Sequence, residues 1–425
     1  MPPMAKELPY LTVELPGIGG RIKVHLEDFQ VEEIALYPMA GRGTHAFFLV
    51  TKSGVPTPVA VQRIARHCGV APGQIGVAGM KDSQAVTSQW MSLEFANAEQ
   101  LARFRDKQVR ISDVTWHGNK LRLGHLAGNR FRILVRGVGE AALPAAQAVL
   151  DVLQRRGVPN FFGEQRFGMR GDTGTLGAAL VRGDLEEFVK LFLGRSMPID
   201  PPDCKAARNA FDAGYMDRAL HGWPRHYTEQ RRALVAYQRK HSPRAVLGAI
   251  DRRLKRLFVS AFQSEVFNEV LIRRLATFDR VLLGDMAQKI DSGGIFPVED
   301  EAAEQPRAER FEISPTGPIP GTRCHFAQGE PGRIEQEALA AVGMRGEDFD
   351  RVGSLRLKGA RRPLRFRLQD VQLSAGKDAR GEFVELAFAA PSGCYATVAL
   401  REIMKAAPAA EPAGAAEEPE PEDED

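Results

Sequence analysis

Cysteine is scarce, with four in 425 residues. Cys68, Cys204, Cys324 and Cys394 lie far apart and form no C-x-x-C pair. That spacing excludes a disulfide framework and a zinc-ribbon pattern, and it fits a reducing compartment. The nine histidines show no H-E-x-x-H spacing, so no metal-ligand cluster is signalled. His117 and His125 read as surface or partner-facing residues. No run approaches the ~18 apolar residues that a membrane helix needs. The N-terminus, MPPMAKELPYLTVELPG, lacks the basic-then-apolar pattern of an export signal. The expectation is a cytoplasmic protein with no membrane partner and no metal. No internal repeat of solenoid period is visible.

Residues 406–425 carry eight acids, no Lys or Arg, and no large side chain to bury, so this tail is expected to be disordered. Setting it aside leaves 57 basic against 46 acidic residues, a balance of +11 for residues 1–405. A basic body suits a partner that is a polyanion. The rest of the composition, 44% hydrophobic and 26% charged, is that of a globular chain large enough for two or three domains.

Hydrophobic periodicity predicts strands at both ends and helices in the middle. Ile22, Val24 and Leu26, then Phe29, Val31 and Ile34, alternate as a strand broken at Glu27-Asp28. A second strand runs from His45 to Lys52. Thr57-Pro58 starts a helix that Gly69 stops. A short helix is expected at 100–106, and paired strands from Arg110 to Arg122 with a turn at His117-Gly118-Asn119. Phe131, Ile133 and Val135 alternate with Arg130, Arg132 and Arg136. A helix follows from Pro144 to Arg156. Helices dominate to about residue 278, where Phe258, Phe262, Val266 and Val270 form a core stripe at i, i+4 spacing. Strands return at 363–373 and 383–390, before a last helix at about 395–405. The fold class is α+β.

The stretch that organises the chain is Gly76 to Glu94, GVAGMKDSQAVTSQWMSLE. It sets Asp82 between a Gly-rich approach and a strand pattern. Gly76 and Gly79 permit tight or positive-φ backbone. A carboxylate on a rigid turn suits a nucleophile that must approach its substrate closely. An aspartate that caps its own turn gives the same local pattern.

This stretch resembles the signature of the TruD family of tRNA pseudouridine synthases, close to AG-x-KD-x-x-AVT-x-QW. Ala78, Gly79, Lys81, Asp82, Ala85, Val86, Thr87, Gln89 and Trp90 match it. Further family-like stretches follow the expected order: LEDFQVEEI at 26–34, GHLAGNRFRI at 124–133, VPNFFGEQRFG at 158–168, FVSAFQSEVFNEVL at 258–271, SPTGPIPG at 314–321, and RRPLRF with FAAPSGCYATVALRE between 361 and 402. The resemblance spans about residues 20 to 405.

The resemblance implies a mixed-sheet pseudouridine synthase catalytic domain interrupted by a family-specific α/β insertion (TRUD) domain. The expected divisions are 1–157 and 356–405 for the catalytic domain, 158–355 for the insertion and 406–425 for the tail. It implies isomerisation of uridine to pseudouridine in tRNA, at position 13 of the D-arm, with no cofactor. Asp82 matches the catalytic aspartate, as a nucleophile at C1′ or a base on the sugar. Lys23 matches a basic residue that pairs with it. Phe29, Asn129, Phe131 and Phe388 match the uridine pocket, where an amide can bond the uracil edge and a ring can pack on its face. Two positions depart from the pattern. Ser83 replaces a common basic residue, which puts a phosphate contact in doubt, and Cys394 replaces a small hydroxyl residue. The alternative function is a tRNA-binding or chaperone-like module without chemistry. A glycosidase is a remote third reading, because no second carboxylate accompanies Asp82. The oligomeric state is not encoded in any motif, and a monomer is the expectation.

Overall fold

The computed structural model describes residues 8–345, 348–349 and 357–406. The acidic tail from residue 407 lies outside them. The chain folds as two compact units, one of Tyr10–Val158 with Phe366 onward, the other chiefly of Pro159–Arg365.

The first unit is built on eight strands: β1 Phe29–Ala35, β2 His45–Ser53, β3 Gly76–Val77, β4 Val86–Glu94, β5 Val109–His117, β6 Leu126–Arg136, β7 Gln369–Asp378 and β8 Gly381–Pro391. Their order is β7-β8-β6-β1-β4-β2-β5, with β3 on β4. Only β1 and β4 run parallel; the other pairs are antiparallel. The sheet is therefore mixed, and the β6–β8 pairing joins the two ends of the sequence. Period-2 alternation explains the strands. Along β2, Ala46, Phe48 and Val50 pack with Met91 and Leu93 of β4 and with Ala60 and Ile64 of the helix Thr57–Cys68. That helix begins with Pro58 in its first turn and ends on Gly69 in the left-handed region, φ 72°.

Three sequence expectations are corrected. Residues 20–26 are not a strand: Arg21 makes a single bridge to Arg136, Lys23 turns left-handed at φ 56°, and Leu26–Asp28 is a 3-10 turn. The cause is Asp28. Its buried carboxylate accepts two bonds from Arg136, both at 2.8 Å, and one from His25 N–H at 3.0 Å, which folds the chain back before β1. Residues 110–122 are not a hairpin: β5 pairs with β2, and the following segment turns away to bond Leu121 N–H to Ser92 Oγ at 2.9 Å and Gly124 N–H to Ala78 O at 2.8 Å. The short helix is Ala98–Ala102, set earlier because Asn97 Oδ1 caps the Glu99 and Gln100 N–H groups.

The two chain ends of this unit are tied together. Glu402, on the helix Ala396–Met404, accepts bonds from Leu11 N–H, Thr12 N–H and Thr12 Oγ1 at 2.9, 3.1 and 2.7 Å.

In the second unit the helix Arg252–Arg274 is the axis. Phe258, Phe262, Val266 and Val270 are buried, as the i, i+4 stripe predicts. The helix Thr173–Arg182 crosses it at Gly177, where a Cβ would stand 2.0 Å from the Phe258 carbonyl oxygen. Only glycine allows that approach. A four-stranded sheet completes the unit, in the order Ala360–Pro363, Ile313–Ile319, Met286–Lys289, Ile295–Pro297.

Candidate active site

Asp82 sits on the turn between β3 and β4, and buried side chains hold that turn. Gln89 Nε2 donates to Gly79 O at 2.9 Å. The Lys81 N–H donates to Thr57 Oγ1 at 3.0 Å, and Thr57 Oγ1 donates to Gln89 Oε1 at 2.9 Å. Lys52 Nζ donates to Lys81 O at 3.1 Å and to Asp82 O at 2.8 Å. Polar groups out of water need such partners, so four backbone groups of the turn are fixed by three side chains that leave at most 1% of their surface exposed. Gly76 is required by sterics, since a Cβ there would stand 2.2 Å from Leu121 O. Gly79 is not: its φ is not positive and its nearest contact would be 3.7 Å away.

The carboxylate has two different partners. Oδ1 accepts the Gln84 N–H at 2.8 Å, and Oδ2 takes the Lys23 ammonium. Asp82 thus does make the local backbone bond of a turn aspartate, and it still offers a second oxygen to a cation. The left-handed backbone of Lys23 aims its side chain across the 3-10 turn, where the ammonium lies 5.0 Å from the Phe29 ring centroid. That geometry is a cation–π contact.

Strand register places the other candidates in rows. Val31 on β1, Phe131 on β6 and Phe388 on β8 lie opposite one another, and Phe29 shares the Val31 face. The Phe29 and Phe131 rings meet edge to face at 6.4 Å, and Phe131 and Phe388 lie 5.2 Å apart. One row further, Glu33 is opposite Asn129, which is opposite Ala390. Lys81 bridges this row, with Nζ 2.7 Å from Asn129 Oδ1 and 3.1 Å from Glu33 Oε2. Burial pushes the Glu33 carboxyl above its usual range, against the Lys81 charge and the Trp90 N–H that it accepts. Burial likewise pushes the Lys52 ammonium down to about 8.

All six sequence candidates are therefore brought together in one unit. Lys23 touches both Asp82 and Phe29, Phe29 leads to Phe131 and Phe388, and Asn129 bonds Lys81, the residue before Asp82. Phe388 is the most enclosed ring, 1% exposed against 4% for Phe29 and 7% for Phe131. Sequence reasoning missed Lys52, Glu33 and the side-chain role of Thr57. The signal for Lys52 was its parity: it stands in phase with Ala46, Phe48 and Val50 on a buried strand face.

A carboxylate on a buttressed turn stands beside a cation, an apolar wall and a fixed amide, an arrangement suited to chemistry through one acid on a ligand with a flat ring. Comparisons with known proteins agree. The family model of tRNA pseudouridine synthase D (TruD) matches residues 6–403. The tRNA pseudouridine synthase D of Geobacter metallireducens is 43% identical over 403 residues, covering 95% of this chain and 99% of its own. That of Geobacter sulfurreducens is 44% identical over 398 residues, 93% and 96% of the two chains. A crystal structure of the Methanosarcina mazei protein assigned as tRNA pseudouridine synthase D matches with a TM-score of 0.82 at 29% identity, over 93% of this chain and 96% of that one. The chain belongs to the TruD family of tRNA pseudouridine synthases, isomerases that convert uridine to pseudouridine in tRNA. The alternative of a binding module without chemistry is not favoured.

Proposed function

We propose that the chain isomerises uridine at position 13 of the tRNA D-arm, as a cytoplasmic monomer. In this reading Tyr10–Val158 with Phe366 onward is the catalytic domain and Pro159–Arg365 is the insertion domain. The observation that carries it is the Lys23–Asp82 pair on a turn whose own backbone is fixed from below. Family membership supports the substrate, and the basic balance of residues 1–405 supports a polyanionic partner. Among the described residues no helix is long and apolar enough to cross a membrane.

Pseudouridine formation breaks the N1–C1′ bond, turns the uracil, joins C5 to C1′, and exchanges the proton lost from C5 for one gained at N1. The Asp82 carboxylate acts on the ribose, and both attack at C1′ and proton removal at C2′ suit an oxygen presented on a fixed turn. The detached ring must stay bound. Phe29 and Phe131 form the apolar wall for it, with Phe388 as the enclosed rear layer.

Asn129 supplies the polar edge, and its direction is set. The Lys81 ammonium has only donors, so Asn129 Oδ1 faces Lys81 and Nδ2 is the group left for the ring. Nδ2 therefore donates to a uracil carbonyl. The test is to map pseudouridines in tRNA from cells lacking the protein, and to follow tritium release from C5-labelled uridine with purified protein. Loss of pseudouridine at position 13 and its restoration in vitro are expected. An unchanged position 13 sinks the substrate assignment.

A further inference from the structure

We propose that Lys52 is a positioning residue for the isomerisation: its buried ammonium grips the backbone carbonyls of Lys81 and Asp82 and so aims the Asp82 carboxylate. The proposal rests on the reading of Asp82 as the catalytic acid. Of the three side chains that fix the turn, Lys52 alone bonds the peptide oxygen of Asp82 itself, at 2.8 Å. Its second bond, to Lys81 O at 3.1 Å, fixes the preceding peptide. Two adjacent carbonyls held by one atom define the plane from which the Asp82 side chain leaves.

The choice of lysine is informative. Lys52 is 1% exposed and lies opposite Thr87 of β4. A buried ammonium is costly unless something uses it, and here both of its bonding partners are neutral carbonyls. The charged groups that face it are Asp82, which favours its charge, and Lys81, which opposes it. Thr87 and Gln89 from β4 and Thr57 from the neighbouring helix are neutral. A neutral donor could bond the carbonyls, but only a cation also holds them by charge-assisted bonds and adds a positive field beneath the carboxylate. Burial lowers the Lys52 ammonium to about 8, so this grip weakens just above neutral pH.

The test uses full-length Lys52→Met and Lys52→Ala, with Asp82→Asn as the control, in single-turnover assays on tRNA. Misplacing a reacting group by about 1 Å costs roughly a hundredfold in rate, so both Lys52 variants should slow by about that factor. Their tRNA affinity should stay within about threefold, because phosphate contacts supply it. Propylammonium should restore the Ala variant by at least about tenfold by occupying the vacated channel, whereas tetramethylammonium, which has charge but no N–H, should not.

A pH profile separates positioning from a purely structural role. The wild-type rate should fall above an apparent pKa near 8. Over the same interval the unfolded chain holds the proton that the folded chain has lost, so wild-type stability relative to Lys52→Met should rise. A merely structural lysine would give the same rise in stability while the rate stayed flat. A folded Lys52 variant within about threefold of wild-type rate, or a folded Lys52→Ala that no primary amine rescues, overturns the proposal. If neither variant folds, a wild-type rate flat between about pH 7 and pH 9.5 overturns it, and a fall near 8 with rising stability sustains it. If Asp82→Asn keeps turnover, the catalytic reading of Asp82 fails first, which distinguishes the two failures.

Discussion

Replacing Asp82 with Asn keeps its shape and removes its charge, and the local geometry sets the outcome. The carboxylate spends one oxygen on the Gln84 N–H and the other on the Lys23 ammonium. An amide has one oxygen. If Asn keeps the Gln84 bond, its NH2 group faces the Lys23 ammonium, donor against donor; if it flips, the Gln84 N–H loses its acceptor. A charge-assisted bond is worth about 1.5–3 kcal/mol. The pair is partly open to solvent, 27% exposed at Asp82 and 11% at Lys23, and screening brings the expected loss to about 1–2 kcal/mol. Lys23→Met should lose a similar amount. The double variant no longer sets donor against donor, so it should be no less stable than Asp82→Asn alone. That gives a coupling of about 1–2 kcal/mol. Turnover should respond on another scale, falling by more than about a thousandfold in Asp82→Asn, while tRNA affinity barely moves. Urea denaturation of the four proteins and single-turnover tritium release measure both effects. Additivity within about 0.5 kcal/mol refutes the ion-pair argument. Residual turnover above about a hundredth of wild type refutes the catalytic one.

Other consequences are as direct. Asn129→Asp replaces the Nδ2 donor with an oxygen and adds a charge beside Lys81; turnover should drop by about a hundredfold, with tRNA affinity within about threefold, and equal losses would point to misfolding. Burial pushes the Glu265 carboxyl up to about 7. An acid raised on folding loses stability as pH rises from its unfolded value of about 4.5 to its folded one, so Glu265→Gln should stabilise the protein by up to about 3 kcal/mol at pH 8 and by little at pH 5. Denaturation at the two pH values checks the sign, and an equal effect at both would contradict it. Gly177→Ala drives a Cβ to 2.0 Å from the Phe258 carbonyl oxygen. It should cost about 2–3 kcal/mol through separation of the two helices, and a thermal shift within error of wild type would show that the helices can part at little cost.

How far the sequence was legible depends on the reach of each signal. Strands with a period-2 apolar run, such as Ala46, Phe48 and Val50 on β2 and Phe131, Ile133 and Val135 on β6, announce themselves by period. So does the stripe from Phe258 to Val270, because helical spacing is local information. The segment before β1 misled because Ile22, Val24 and Leu26 alternate, while the deciding contact, Asp28 with Arg136, joins residues 108 positions apart. The same limit explains Arg110–Arg122. Its second half does not pair back on the first, because Leu121 and Gly124 are claimed by Ser92 and Ala78 from β4 and the turn.

The site shows the limit more sharply. Asp82 stood out because its neighbours along the chain are distinctive, and its motif could be matched as a string. The residues that hold it in place are scattered. Lys52 lies on β2 and Thr57 begins a helix, both outside the signature stretch, and only the strand parity of Lys52 hints at its role. Only the pairing of β2 with β4, Lys52 opposite Thr87, sets the ammonium under the turn. The proposed reacting group is a local pattern, but its placement is a property of the sheet. Substitutions at Lys52, Glu33 or Thr57 should therefore alter the rate of a chain whose signature stretch from Gly76 to Glu94 is unchanged. A signature match thus identifies the reaction class without guaranteeing the rate, and inspection of the β2–β4 pairing is what tells the two apart.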